Sequence, residues 1–192
     1  MALVSPYSDR ALWRPRVLEI VGVATNLVYT WMYLQGQLPE AYMFAALGAV
    51  ALAGACWHRN LMAEAWLHMF YLAMAGYGAW LAAGDLAGPT ANPWWQHALG
   101  VALGALAWVA LVPVLERRNS SMPRLDAFTT VFSVVATWWM VQWDPINWLH
   151  WVVIDAVSIY LYMKRGMPWG ALLFAVYTAL AVHGWVDAVS LA

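Results

Sequence analysis

Seven long apolar segments, each bounded by charged or turn-forming residues, limit what this chain can fold into. A membrane-spanning helix needs roughly 20 mostly apolar residues, and Gly, Pro and Asn residues mark the breaks between the segments. The chain has 192 residues, of which 64% are hydrophobic and 10% are charged, whereas about a quarter of the residues of a soluble domain are charged. The predicted spans are residues 17–35, 40–57, 61–83, 95–115, 126–142, 146–163 and 168–188.

This pattern predicts an all-α membrane protein that forms a single membrane domain over residues 1–192. It excludes a disordered chain, a nucleic-acid-binding domain with a basic face and an ordinary soluble enzyme. The single cysteine, Cys56, excludes an internal disulfide framework. We interpret the first span as a retained helix and not a signal peptide, because Glu19 and Asn26 interrupt its apolar core.

The basic residues predict the orientation of the spans in the membrane. All nine lie before the first span or in alternate loops after it. The opposite loops and the C-terminal end carry no basic residue, and their charged residues are the acidic Glu40, Asp85, Asp144 and Asp187. Since Lys and Arg are enriched in cytoplasmic loops, we expect a cytoplasmic N-terminus and an exoplasmic C-terminus, which requires an odd number of spans. The nine are Arg10, Arg14, Arg16, Arg59, Arg117, Arg118, Arg124, Lys164 and Arg165.

Spans one to three resemble spans five to seven at an offset of 106 or 107 residues. Matching pairs are Glu19 with Asp126, Thr30-Trp31 with Thr137-Trp138, Pro39 with Pro145, Tyr71 with Tyr177 and Gly78 with Gly184. The order predicts two parallel three-helix repeats, about 17–83 and 126–188, joined by an inverting linker helix at about 95–115 (a 3+1+3 arrangement). Parallel repeats are typical of transporters that bind substrate near the midplane and alternate access by moving one repeat against the other.

Span six carries the most informative polar face. Trp148, Trp151 and Asp155 follow at i, i+3 and i+7 and share one side of a helix. An ionisable residue inside the membrane is a functional candidate by default, although Asp155 could also serve only as a hydrogen bond to a neighbouring helix. A carboxylate with two indoles suits a substrate with a cationic ring. The apolar parts of the spans contain no Lys or Arg to bind a phosphate or carboxylate.

Other polar residues are predicted at similar depth. Asn26 lies near the centre of span one, and Ser133 is its repeat partner in span five. Tyr71, Tyr177 and His68 complete the candidate set, with interhelical hydrogen bonding or packing as the alternative for each. We assign no metal and no cofactor, because the chain has neither a Walker loop for ATP nor a His-Glu-x-x-His pair for zinc. Its single Lys lies in a loop, whereas a retinal protein needs a Lys inside a span.

The segment from Asn147 to Asp155 resembles the span-six signature of the PnuC family of vitamin transporters, Trp-x-x-Trp-x-x-x-Asn/Asp. The resemblance implies a fold similar to SWEET sugar transporters and adds Asn147 to the substrate contacts. It also implies a homotrimer in the bacterial inner membrane, with a periplasmic C-terminus. Members facilitate uptake of nicotinamide riboside, thiamine or riboflavin, and a cytoplasmic vitamin kinase traps the product by phosphorylation.

The vitamin stays open at this point. Where members that take up nicotinamide riboside often have Gln and Asn on span three, this chain has His68 and Ala75. Nicotinamide riboside and thiamine both carry a quaternary ring nitrogen, so Asp155 does not separate them, and we rank riboflavin third. Two further hypotheses are a non-transporting membrane sensor or assembly subunit, and proton-coupled transport through Asp155 or His68.

Reporter fusions test the predicted orientation. We expect alkaline phosphatase to be active when fused after residue 190 and inactive when fused after Asn119, because only the exoplasmic side folds that enzyme. A fluorescent protein at the same two positions should give the opposite pattern. An active phosphatase in the loop after Asn119 would contradict the assignment drawn from the basic residues.

Overall fold

The computed structural model describes residues 7–58, 62–84, 92–164 and 168–190. Within these ranges the chain forms seven helices, which confirms the predicted all-α class. Arg59 and Arg165, used above for orientation, and the acidic Asp85 lie outside the described residues. The helices are α1 Tyr7–Leu34, α2 Glu40–His58, α3 Met62–Ala83, α4 Trp94–Arg117, α5 Pro123–Val141, α6 Asn147–Lys164 and α7 Pro168–Ser190.

Six helices begin and end within three residues of the predicted spans, because apolar runs and breakers are local signals. α1 differs, since it starts at Tyr7 and continues through Pro15 into the apolar run. By length and composition, four described segments are apolar enough to cross a membrane: Pro15–Leu34, Glu40–His58, Trp94–Arg117 and Ala171–Ser190. α5 and α6 fall outside this group, and these are the helices with the polar residues Asp126, Ser133 and Asp155.

The chain divides into two compact units, Met1–Leu86 and Ala87–Ala192. In the first unit, α2 packs against both α1 and α3. In the second unit, α4 packs on α5, α5 on α6, and α6 on α7. α5 and α6 are therefore the inner helices of their unit, and they bury Ser133, Thr137, Asn147, Asp155 and Ser158.

A small residue facing an aromatic ring brings two helices together in each unit. A methyl group at Gly78 of α3 would lie 2.5 Å from a ring carbon of Tyr42 on α2, and one at Gly184 of α7 would lie 2.5 Å from a ring carbon of Trp148 on α6. Glycine at these positions lets the helices approach closely, as small residues do between membrane helices. Both partners of the second contact lie 106 positions after those of the first.

The turns that precede α2 and α6 also share one hydrogen-bond pattern. The N–H of Gln37 donates to Met32 and that of Gly36 to Tyr33, and equivalent bonds join Asp144 to Trp139 and Trp143 to Met140. This is the Schellman arrangement, which needs a residue with positive φ after the helix. Gly36 supplies it at φ 66° and Trp143 at φ 57°, although a bulky side chain there is uncommon.

The contact between Gly78 and Tyr42 is testable with a control on the same helix. We expect Gly78→Ala to lower the thermal unfolding temperature of the detergent-purified protein, because overpacking of this kind typically costs about 1–3 kcal/mol. Gly76→Ala should leave it unchanged or slightly higher, because a methyl group there meets no atom within 4 Å and Ala favours a helix over Gly. Equal melting temperatures for the two variants would contradict the close approach of α2 and α3.

Candidate functional site

One row of α6 gathers three of the predicted site residues. Asn147 begins the helix, and Trp151 and Asp155 follow at successive intervals of four, so their side chains lie one above another. Asn147 and Asp155 are only 1% and 3% exposed, and Trp151 is half-buried. The carboxyl of Asp155 thus faces the interior of the second unit and does not point toward lipid.

Two polar atoms of this row lack a hydrogen-bond partner in the protein. The amide oxygen Oδ1 of Asn147 and the indole Nε1 of Trp151 are buried without a hydrogen bond. The carboxyl of Asp155 is buried on the same row. Leaving a buried donor or acceptor unsatisfied costs about 1–3 kcal/mol, so such groups need an explanation. The three together mark a place where a polar ligand would complete the hydrogen bonding.

Neighbouring groups on α6 and α7 define the limits of this row. One turn after Asp155, the hydroxyl of Ser158 donates to the carbonyl of Ile154 at 2.9 Å, so its polarity is satisfied within the helix. Tyr177 on α7 interacts electrostatically with Asp155, and its ring also contacts that of Phe174, with centroids 6.3 Å apart. The structure thus brings two predicted site residues, Asp155 and Tyr177, to the same part of the second unit.

Trp148 has a different environment from Trp151. Its indole is 7% exposed and lies against the backbone of Gly184 on α7. This packing fixes the plane of the ring, while Trp151 keeps its N–H unpaired. A flat ligand beside α6 would therefore meet one indole held rigidly by α7 and a second one able to donate a hydrogen bond.

Ser133 and Asn26, predicted as repeat partners, have similar local bonding in their own units. Ser133 is 6% exposed on α5, and its carbonyl accepts the hydroxyl of Thr137 at 2.7 Å. The carbonyl of Asn26 on α1 accepts the hydroxyl of Thr30 at 3.0 Å. The amide group of Asn26 packs over Gly48 of α2, where a methyl group would lie 2.8 Å from Oδ1.

His68 and Tyr71 come together on α3. Their rings meet edge to face with centroids 5.7 Å apart, as expected for residues three positions apart on a helix. The Nδ1 atom of His68 is buried without a hydrogen-bond partner. His68 therefore shares an unpaired buried polar atom with Asn147 and Trp151, and the same is true of Nδ1 of His97 and Nε1 of Trp139.

Two surface depressions in the described part of the chain lie elsewhere. One is at the start of α5 beside Tyr160, and the other lies between α2 and α3 around Trp57 and Trp66. Neither is lined by Asn147 or Asp155. The candidate site is therefore defined by its unpaired polar atoms and not by either depression.

Sequence reasoning missed a polar cluster centred on Asp144. We counted Asp144 only as an acidic residue of an exoplasmic loop, yet it is 2% exposed and lies 3.2 Å from Nε2 of His97. The backbone N–H and the side-chain amide of Asn92 also donate to it, at 3.0 and 2.9 Å. An Asp-Pro pair just before a helix is a known start signal, and it could have indicated that Asp144 holds the beginning of α6.

Two comparisons with known proteins identify the family and the fold. Residues 16–188 match the model of a protein family described as nicotinamide mononucleotide transporter. The fold is similar to a solved structure described as the crystal structure of the vitamin B3 transporter PnuC, with a TM-score of 0.71. The two chains are 21% identical, and the match covers 88% of this chain and 79% of that one. At this identity the likeness shows a common fold.

Proposed function

Because the chain belongs to the nicotinamide mononucleotide transporter family, and is therefore an integral membrane transporter and not an enzyme, we propose that it facilitates uptake of a B-type vitamin. Nicotinamide riboside is our first candidate and thiamine the second, with riboflavin third. In this proposal the substrate moves down its gradient by alternating access, and cytoplasmic phosphorylation traps it. The earlier alternative of a non-transporting sensor or assembly subunit is not supported by family membership.

The observation that carries the proposal is the row of unpaired polar groups on α6. Oδ1 of Asn147 accepts hydrogen bonds, Nε1 of Trp151 donates them, and neither has a protein partner. The carboxyl of Asp155, a further acceptor, is buried on the same row. A small heterocycle with both donors and acceptors, such as a nucleoside or thiamine, would satisfy all three.

The charge of Asp155 favours a cationic ring. A buried carboxylate is stabilised by a nearby positive charge, and indoles are the best aromatic partners for a cation. Trp148 and Trp151 lie two turns and one turn, respectively, before Asp155 on the same helix. We therefore propose that the quaternary ring nitrogen of the substrate lies near Asp155, with the ring between the two indoles.

The family's name refers to a mononucleotide, but the residues of this chain favour the riboside. A mononucleotide carries a phosphate, which proteins bind with Arg, Lys or helix N-termini. Arg117, Arg118, Arg124 and Lys164 lie at helix ends or in loops, and Arg16 lies at the start of the apolar segment of α1. The middle of α6 presents a carboxylate instead. Like charges repel strongly in a medium of low dielectric constant, so the phosphate would be disfavoured beside Asp155.

Several wider features belong to the same proposal. The two-repeat architecture is supported by the matching contacts of Gly78 with Tyr42 and of Gly184 with Trp148. Seven spans and a cytoplasmic N-terminus are supported by the alternation of basic loops, and the bacterial inner-membrane location comes from the family resemblance. The homotrimer and the link to a vitamin kinase come from the family resemblance. Asn26, His68, Tyr71, Ser133 and Tyr177 remain proposed contributors to substrate binding.

A parallel binding titration tests the choice of substrate. Purified protein is titrated with nicotinamide riboside, nicotinamide mononucleotide, thiamine and riboflavin, while tryptophan fluorescence is followed. We expect nicotinamide riboside to bind most tightly and the mononucleotide at least roughly tenfold more weakly, a difference of about 1.4 kcal/mol. Tighter binding of the mononucleotide would overturn the argument from Asp155, and tighter binding of thiamine would select the second candidate.

Substitution of Asp155 tests its role as a substrate contact. We expect Asp155→Ala to reduce uptake into proteoliposomes roughly tenfold or more, because hydrogen bonds to a charged group are worth about 1.5–3 kcal/mol. Asp155→Asn keeps an acceptor but loses the charge, and should lie between Asp155→Ala and the unmodified protein. Asp187→Asn, at an exposed carboxyl of α7, is the control. Normal uptake by an Asp155→Ala protein inserted at the usual level would refute the role.

A further inference from the structure

We propose that Asp144 is a positioning residue that orients the amide of Asn147 so that its oxygen accepts a hydrogen bond from the substrate. The inference rests on the proposed function and extends it to a residue outside the α6 row. It also names the chemistry of the substrate at this point, since only an N–H or O–H group can donate to Oδ1. A carboxamide, an amino group and a sugar hydroxyl all meet this condition.

Asp144 joins the beginning of α6 to the beginning of α4. Its Oδ2 atom accepts from the backbone and side-chain nitrogens of Asn92 at 3.0 and 2.9 Å and lies 3.2 Å from Nε2 of His97. Its Oδ1 atom accepts the N–H of Ile146 at 3.0 Å. Both carboxyl oxygens therefore accept hydrogen bonds, and these bonds hold the turn between α5 and α6 in place.

The same residue fixes the orientation of Asn147. The carbonyl of Asp144 accepts Nδ2 of Asn147 at 2.6 Å, and it also accepts the backbone N–H of Asn147 at 3.0 Å. Because the amide nitrogen is held in this way, the amide oxygen must point away from Asp144. That oxygen is the atom of Asn147 that is buried and unpaired.

His97 adds rigidity on the α4 side. Its ring lies against the indole of Trp139, with centroids 4.5 Å apart, and its side chain is 12% exposed. By contrast, His183 and Asp187 of α7 form a pair at 2.9 Å in which both side chains are 51% exposed. Exposed pairs contribute little, so the second pair is a matched control for the first.

The cluster around Asp144 contains three buried polar atoms without a hydrogen bond: Nδ1 of His97, Nε1 of Trp139 and Oδ1 of Asn147. The last of these belongs to the α6 row, which also contains the unpaired Nε1 of Trp151 and the buried carboxyl of Asp155. The geometry therefore directs the free acceptor toward the ligand that completes the row.

A double-mutant cycle separates positioning from stability. Affinity for nicotinamide riboside is measured by tryptophan fluorescence on monodisperse protein carrying Asp144→Asn, Asn147→Ala or both, with Asp187→Asn as the control. We expect each single variant to bind roughly tenfold more weakly, and the double variant to bind no more weakly than Asn147→Ala. Asp187→Asn should bind as the unmodified protein does. Losses that multiply to about a hundredfold would overturn the proposal, since they would show independent effects.

A milder variant covers the case in which Asp144→Asn does not fold. Asn92→Ala removes one donor to Asp144 and leaves the backbone donor, and we expect it to weaken binding about two- to fivefold, an effect that disappears when Asn147→Ala is also present. No weakening, or weakening that persists with Asn147→Ala, would overturn the proposal. If the unmodified protein binds none of the vitamins, the proposed function fails instead, so the two failures are distinguishable.

Discussion

Burial of polar groups where water is absent is the constraint on which this molecule depends. In the hydrocarbon region every backbone group must be bonded within the protein, which leaves helices as the structure available to a chain of this kind. The polar side chains on those helices also need hydrogen-bond partners within the protein. The hydroxyls of Thr30, Thr137 and Ser158 donate to a carbonyl of their own helix, whereas Oδ1 of Asn147 and Nε1 of Trp151 have no partner.

The unpaired polar groups keep their positions because the surrounding residues hold them in place. Gly184 allows α7 to pack directly on Trp148, and Asp144 uses both of its carboxyl oxygens to hold the turn that leads into α6. Rigid supports of this kind prevent the polar groups from turning to find partners in the protein. A ligand then gains hydrogen bonds without the protein first losing any, which favours binding.

The two units share matching packing contacts, but the residues at equivalent positions differ in polarity. Tyr42 and Trp148 have corresponding positions and each lies on a glycine. At the positions of Asn147 and Asp155, however, the first unit has Ala41 and Ala49, which are both buried. Similar packing therefore supports a polar row on α6 and an apolar row on α2, and this asymmetry is consistent with a substrate contact concentrated in the second unit.

The sequence by itself determined the class of the fold and the approximate bounds of six of the described helices, because apolar runs, prolines and glycines act over a few residues, but it placed the start of α1 ten residues too late. It also placed Trp148, Trp151 and Asp155 on one face, since helical spacing is fixed. Only the tertiary structure decided which polar atoms stay unpaired and that Asp144 pairs with His97. These depend on segments that are distant in sequence, such as Asn92 and Asp144, 52 residues apart, and no local pattern specifies how such segments meet.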